Sequence, residues 1–101
     1  MTTNHIEIKV NDQVLYVSGD LDFNNVMSLY DQSMKLFTAA IDIITIDLSG
    51  LRSTNSAALA VIVGWMRLGK KTGKKVNFKH VSADILSLAK ASGLNKIIDP
   101  V

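Results

Sequence analysis

Residues 43–73 carry the sequence IITIDLSGLRSTNSAALAVIVGWMRLGKKTG, and this stretch decides the fold. Ile43–Leu48 is a short apolar run rich in β-branched residues, which predicts a central strand. Ser49–Thr54 is rich in turn-forming residues and predicts a loop. Asn55–Thr72 predicts a helix with a basic last turn, and Gly73 is well placed to end it. A buried strand followed by a helix indicates an α/β protein.

The sequence on either side of this stretch predicts further strands and helices. Apolar and polar residues alternate before and after a turn at Asn11-Asp12, which predicts a hairpin closed by Gly19. Apolar residues then recur every three or four positions from Phe23 to Phe37, as in an amphipathic helix. Ser82 is a candidate N-cap and Gly93 a candidate end for a third helix. The remaining predicted strands cover Ile6–Val10, Val14–Ser18 and Val76–Lys79.

The predicted order is therefore β-β-α-β-α-β-α. Strand–helix–strand units favour parallel neighbours joined by right-handed crossovers, whereas the first hairpin is antiparallel, so the sheet is expected to be mixed. The outer strands have polar residues at every other position, which is not expected of a sheet covered on both faces. We therefore predict a two-layer α/β fold with the helices mainly on one face, forming one domain over residues 1–101.

Composition narrows the class of protein. The chain has 101 residues, of which 48% are hydrophobic and 20% charged, the balance of an ordinary globular domain. It has no cysteine, which excludes disulfides and thiolate chemistry. No apolar run is long enough for a transmembrane helix, and the first ten residues lack the apolar stretch of a signal peptide. A cytoplasmic protein is expected.

Charge is distributed unevenly along the chain. Residues 1–50 contain two lysines and seven acidic residues, a net charge of −5, whereas residues 51–101 carry a net charge of +7. Most of the positive charge lies in a basic cluster, which could contact phosphates of nucleic acid or anionic lipid but is more often a solvated helix end. No aromatic residues are interleaved with it, so specific nucleic-acid binding is not expected. The basic cluster comprises Arg67, Lys70, Lys71, Lys74, Lys75 and Lys79.

Residues that could carry out catalysis are sparse. His5 and His80 have no second ligand at metal-binding spacing, so neither a metal nor another cofactor is expected. Asp20 and Asp22 have no neighbouring base or nucleophile, and a role in the turn and the helix entry is favoured for them. Gly64–Lys71 nearly matches a phosphate-binding loop, but it has Lys71 where a hydroxyl is needed and lies within a predicted helix. The protein is not expected to be an enzyme.

The second helix is apolar on all sides from Ala57 to Met66, although a helix on a one-sided sheet needs only one apolar stripe. Either it contacts a partner through a face that includes Val61 and Trp65, which we favour, or it is tightly buried between its neighbours. Ser56, at its start, could carry a phosphate stabilised by the helix N-terminus. The alternative is that Asn55 or Ser56 simply caps the helix.

Three segments resemble the STAS domain family, and the resemblance extends over nearly the whole chain. They are Val17-Ser18-Gly19-Asp20-Leu21-Asp22, Ile46-Asp47-Leu48-Ser49-Gly50-Leu51 and Asn55-Ser56-Ala57-Ala58-Leu59. The later sequence is similar to the MlaB-type branch of small STAS subunits that serve phospholipid transporters. The segments that carry this second resemblance are Leu68-Gly69-Lys70-Lys71-Thr72-Gly73, Val76-Asn77-Phe78 and Leu88-Ala89-Lys90.

The resemblance implies a non-catalytic interaction module. In the MlaB-type branch, the hydroxyl position occupied here by Ser56 packs with its helix against the transporter's ATPase subunit, so the protein would reach the inner membrane only through that complex. In anti-sigma factor antagonists, the equivalent hydroxyl follows an Asp and is phosphorylated by a partner kinase; here Asn55 replaces that acid. The all-round apolar second helix favours the first of these, an accessory subunit that binds and supports the ATPase of an ABC-type phospholipid transporter, and an anti-sigma factor antagonist is the alternative. The expected partner-interface residues are Thr54, Asn55, Ser56, Ala57, Val61 and Trp65.

Overall fold

The computed structural model describes residues 6–39, 41–52 and 55–93. The order of elements is the predicted one. The elements are β1 (Ile6–Asn11), β2 (Val14–Gly19), α1 (Val26–Phe37), β3 (Ile43–Leu51), α2 (Ser56–Thr72), β4 (Lys75–Lys79) and α3 (Ala83–Ala91). Within the described residues, no helix combines the length and hydropathy needed to cross a bilayer.

The four strands form one mixed sheet in the order β1-β2-β3-β4. β1 and β2 are antiparallel, and β2, β3 and β4 are parallel to one another, as predicted. The hairpin turns at Asp12 and Gln13, both in the left-handed region with φ of 50° and 66°. Two consecutive positive φ values match the twist of the flanking strands in a two-residue hairpin. The turn therefore lies one residue later than the predicted Asn11-Asp12.

The core lies against one face of the sheet. Along β3, Ile44, Ile46 and Leu48 are buried, whereas Ile43 is 51% exposed. All three helices contribute to the same hydrophobic cluster, which confirms the two-layer arrangement. Their completely or nearly buried members include Leu29, Phe37, Ile62, Trp65, Ile85 and Ala89.

Strand β3 continues through Leu51, where a loop was predicted from Ser49 onward. Pairing with β2 extends the strand, since Ser18 lies opposite Gly50 and Gly19 opposite Leu51. The two strands come very close here: a Cβ on Gly50 would lie 2.7 Å from the Cβ of Ser18. Glycine at position 50 therefore allows β2 and β3 to pair here. The turn-forming residues of this segment led to the wrong prediction of a loop.

Candidate functional site

The start of α2 is held by the side chain of Asn55. Its Oδ1 accepts a hydrogen bond from the backbone N–H of Ala58 at 3.1 Å, so Asn55 is the N-cap of the helix. Its Nδ2 donates to the carbonyl oxygen of Leu21 at 2.9 Å, across 34 positions of sequence. One side chain thus caps α2 and fastens it to the segment between β2 and α1.

That segment, residues 20–25, is fixed by its own hydrogen bonds. The Asp22 carboxylate accepts from the N–H groups of Asn24 and Asn25 at 2.8 and 3.0 Å. The Asn25 side chain accepts from the Asp22 N–H and donates to the Asp20 carbonyl. Asp22 therefore has the role in the turn and helix entry that the sequence predicted. Asp20 instead pairs with Arg52 at 2.9 Å, an exposed ion pair of little expected stability.

Ser56 is the first residue of α2 and is exposed. Its hydroxyl makes no hydrogen bond to any other residue that the structure describes, because Asn55 already provides the cap. The side chain therefore lies at the positive end of a 17-residue helix and is free to contact a partner or accept a phosphate.

The structure corrects the expectation for Ala57, Val61 and Trp65. Ala57 and Trp65 are completely buried and present no surface to a partner, and Val61, which is 3% exposed, contributes only a small part of the floor between α1 and α2. The Trp65 indole N–H donates to the Ser33 hydroxyl of α1 at 2.8 Å, which satisfies the indole inside the core. Helix α2 is apolar all round because α1, the sheet and α3 surround most of it. Thr54 lies outside the described residues.

Sequence reasoning missed an exposed apolar surface on α1 and the loop before it. Phe23 is 73% exposed and Met27 63% exposed, although both belong to the apolar spacing that predicted a buried helical stripe. They line a groove of about 260 Å³ between α1 and α2. We call it the α1–α2 groove; its lining residues are Phe23, Val26, Met27, Tyr30, Ala60, Val61 and Gly64.

The α1–α2 groove is continuous with the surface around Ser56. Ala60 lines the groove and also a second depression that contains Ser56 and Arg67. Ser56, Ala60 and Arg67 are all exposed along one side of α2. The site therefore consists of the start of α2 at Ser56, a floor that includes the small residues Ala60 and Gly64, and an apolar wall formed by Phe23 and Met27.

The basic cluster is only partly a free surface. The Lys74 ammonium donates to the carbonyl oxygens of Ala39 and Ile41, both at 2.6 Å, and so closes the connection between α1 and β3. Arg67, Lys70 and Lys71 are exposed along the second half of α2. The cluster is therefore divided between one structural lysine and several solvated cations.

Asp47, in the middle of β3, is the one charged residue buried in the described part of the chain. Its Oδ1 accepts from the Ser49 N–H at 2.9 Å and lies 3.2 Å from the His80 Nδ1. Burial raises the pKa of Asp47, but the hydrogen bonds from Ser49 and His80 outweigh it, so the pKa lies below its ordinary value. The described residues contain no group of three His, Cys, Asp or Glu residues able to hold a metal ion.

The family model described as MlaB, STAS domain matches residues 4–99. The chain belongs to the MlaB-type STAS domain family. This confirms the resemblance that the sequence suggested. No curated protein matches the sequence of this STAS domain.

Solved structures share the fold of this STAS domain at low sequence identity. The anti-sigma factor antagonist SpoIIAA in its unphosphorylated form has a TM-score of 0.67 and 17% identity, covering 98% of this chain and 88% of that one. An anti-sigma factor antagonist from Mycobacterium paratuberculosis has a TM-score of 0.72 and 20% identity, covering 97% and 85%. These similarities establish the fold of the STAS domain.

Proposed function

We propose that this protein is a non-catalytic accessory subunit that binds the ATPase of an ABC-type phospholipid transporter in the cytoplasm and supports its activity. Binding uses the start of α2, centred on Ser56. The match to the MlaB-type family over residues 4–99 supports this assignment. The single observation that carries it is the exposed Ser56 hydroxyl at a fixed helix start, next to an exposed apolar surface.

The chemistry of the surface favours a permanent contact. Exposed side chains such as Phe23 and Met27 lose unfavourable contact with water when a partner covers them. Asn55 and Asp22 hold the surrounding backbone in place, so little conformational entropy is lost on binding. A rigid surface with an apolar wall suits a constitutive subunit interface.

Affinity purification of the tagged full-length protein from its native host tests the proposal. Mass spectrometry of the co-purified proteins should identify an ABC ATPase together with its permease. The ATPase should hydrolyse ATP more slowly, or be less stable, when this subunit is removed. An anti-sigma factor kinase in place of the ATPase would contradict the proposal.

The alternative is an anti-sigma factor antagonist switched by phosphorylation of Ser56. The exposed hydroxyl at a helix N-terminus favours it, because the helix dipole and free N–H groups stabilise a phosphate. Asn55 argues against it, because antagonists have an aspartate before the phosphorylated hydroxyl. Here the Asn55 amide donates to the Leu21 carbonyl, a bond that an ionised aspartate could not make. Mass spectrometry of the Ser56 peptide from native protein distinguishes the two, since substantial phosphorylation supports only the antagonist.

A further inference from the structure

The exposed side of α2 is basic and has no acidic counterpart of its own. Residues 56–72 contain Arg67, Lys70 and Lys71 but no aspartate or glutamate. Arg67 forms no ion pair with any carboxylate in residues 6–39, 41–52 and 55–93. It lines the same depression as Ser56 and Ala60, so this unpaired cation belongs to the candidate site.

The dimensions of the site indicate a protein segment as its ligand. The α1–α2 groove has a volume of about 260 Å³ and the adjoining depression around Ser56 and Arg67 about 320 Å³, each near the lower end of the roughly 300–1,000 Å³ of typical small-molecule sites. From Ser56 to Arg67 the exposed side of α2 extends about 16 Å, at 1.5 Å per residue. A helix surface of that length, with the α1–α2 groove beside it, can accept apolar side chains spaced one helical turn apart.

We infer that the α1–α2 groove binds an acidic amphipathic helix of the partner protein. Apolar side chains at positions i and i+4 of that helix lie over Ala60, against the wall formed by Phe23 and Met27. A carboxylate near one end of the helix pairs with Arg67. This inference rests on the proposed function and specifies the chemistry of the partner segment.

Charge complementarity favours a foreign helix over a second copy of this chain. Helix α2 has no acidic residue, and α1 has Asp31 alone, offset by Lys35. A second copy that docked symmetrically through the same α1 and α2 surface would therefore present little negative charge to Arg67. A partner helix with carboxylates would meet a matching cation at the edge of an apolar contact, which fixes its register and speeds its association.

Photo-crosslinking of the full-length protein in its native host identifies the segment in the groove. A photoreactive phenylalanine analogue is placed at position 27, and a second protein carries it at position 10, where Val10 is similarly exposed at 55%. Position 27 should cross-link to a partner peptide that is helical, apolar at i and i+4, and acidic near one end. Position 10 should not capture that peptide.

The charge is tested with the purified partner. Met27→Glu and Arg67→Glu should each weaken binding at least tenfold, whereas Val10→Glu should leave it within twofold. Changing the facing carboxylate of the partner to lysine should restore binding to Arg67→Glu. Circular dichroism and thermal melting check that each variant folds, as expected for exposed positions.

Several results overturn the inference. In the cross-linking experiment, they are capture of a second copy of this chain, of lipid or of a segment without carboxylates at position 27, or no cross-link at that position. In the binding experiment, it is an affinity that Arg67→Glu leaves unchanged. The proposed function can fail separately. Capture of an acidic helix from a protein other than an ABC ATPase would contradict the proposed function and support the inference. Binding of an ABC ATPase outside the α1–α2 groove would support the proposed function and contradict the inference.

Discussion

Asn55 Nδ2 donates to the carbonyl oxygen of Leu21 at 2.9 Å, and this bond joins the start of α2 to the segment that carries Phe23. The same amide accepts from the Ala58 N–H. Asn55 therefore needs both a donor and an acceptor, which an amide supplies and an ionised carboxylate does not. The bond also holds the two halves of the candidate site, Ser56 and the Phe23 wall, in a fixed relation.

Replacing Asn55 by aspartate separates its two roles. Asn55→Asp keeps the cap but loses the donor to Leu21, so we expect the free energy of unfolding at pH 7 to fall by about 1 kcal/mol. Asn55→Ala loses the cap as well and should lose about 2 kcal/mol. Urea denaturation measures both. The deficit of Asn55→Asp relative to wild type should shrink below about pH 4, where a protonated carboxyl can donate again; a constant deficit would contradict the assignment.

Truncation of two aromatic residues should change the free energy of unfolding by very different amounts. Trp65 is completely buried, so Trp65→Ala should lower the free energy of unfolding by about 3–5 kcal/mol. Phe23 is 73% exposed, and Phe23→Ala should change it by less than about 0.5 kcal/mol. Thermal denaturation followed by circular dichroism compares the two. A stable Trp65→Ala protein would restore the interface role that the sequence first suggested for Trp65.

Asp47 should make stability depend on acidity. Its pKa in the folded protein lies below the ordinary value, so its contribution is present above the unfolded pKa, about 4, and is lost as the pH falls through the folded pKa. Asp47→Asn should therefore flatten the acidic side of the stability curve measured by urea denaturation. His80→Ala removes one of the contacts that lower the Asp47 pKa but leaves the Ser49 hydrogen bond, so part of the dependence of stability on pH should remain. An unchanged slope in Asp47→Asn would contradict this prediction.

Binding to the ATPase should tolerate small neutral side chains at position 56 but should be weakened by a charged one. Ser56→Ala and Ser56→Thr should bind the ATPase within a few-fold of wild type. Ser56→Glu should bind at least tenfold more weakly, because a charge in a desolvated contact is costly. Its melting temperature should not fall, because a negative charge near a helix N-terminus is stabilising by about 0.3–1 kcal/mol.

The matched control for Ser56→Glu is Ser87→Glu, since Ser87 is exposed on α3, away from the groove. This variant should bind the ATPase as wild type does. Titration calorimetry with the purified ATPase gives both affinities. Equal affinities for the two variants would remove Ser56 from the interface.

Local chemistry explains why the elements could be predicted from the sequence. Ser82 caps α3 through its hydroxyl and the Ile85 N–H at 3.1 Å, and Gly73 ends α2 with φ of 71°. Both depend on residues within one helical turn, so the pattern alone reveals them. The parallel pairing of β2, β3 and β4 also follows from the helices that connect them.

The surface of the candidate site could not be predicted in the same way, because it depends on how α1 and α2 pack. The indole of Trp65 is satisfied by Ser33, 32 positions earlier, and nothing local indicates that partner. Phe23 shares the apolar spacing of α1 but precedes its first residue, Val26, so it does not continue the buried stripe.

Lys74 donates to two carbonyl oxygens at the end of the α1–β3 connection. The lysines of the basic cluster are therefore not interchangeable in evolution. Lys70 and Lys71 supply charge to solvent, so arginine or a polar residue can replace them with little loss. Position 74 needs a compact ammonium on a flexible stem, and the planar guanidinium of arginine has a different donor geometry. Substitution should be far more restricted at Lys74 than at its neighbours, although all of them carry the same charge.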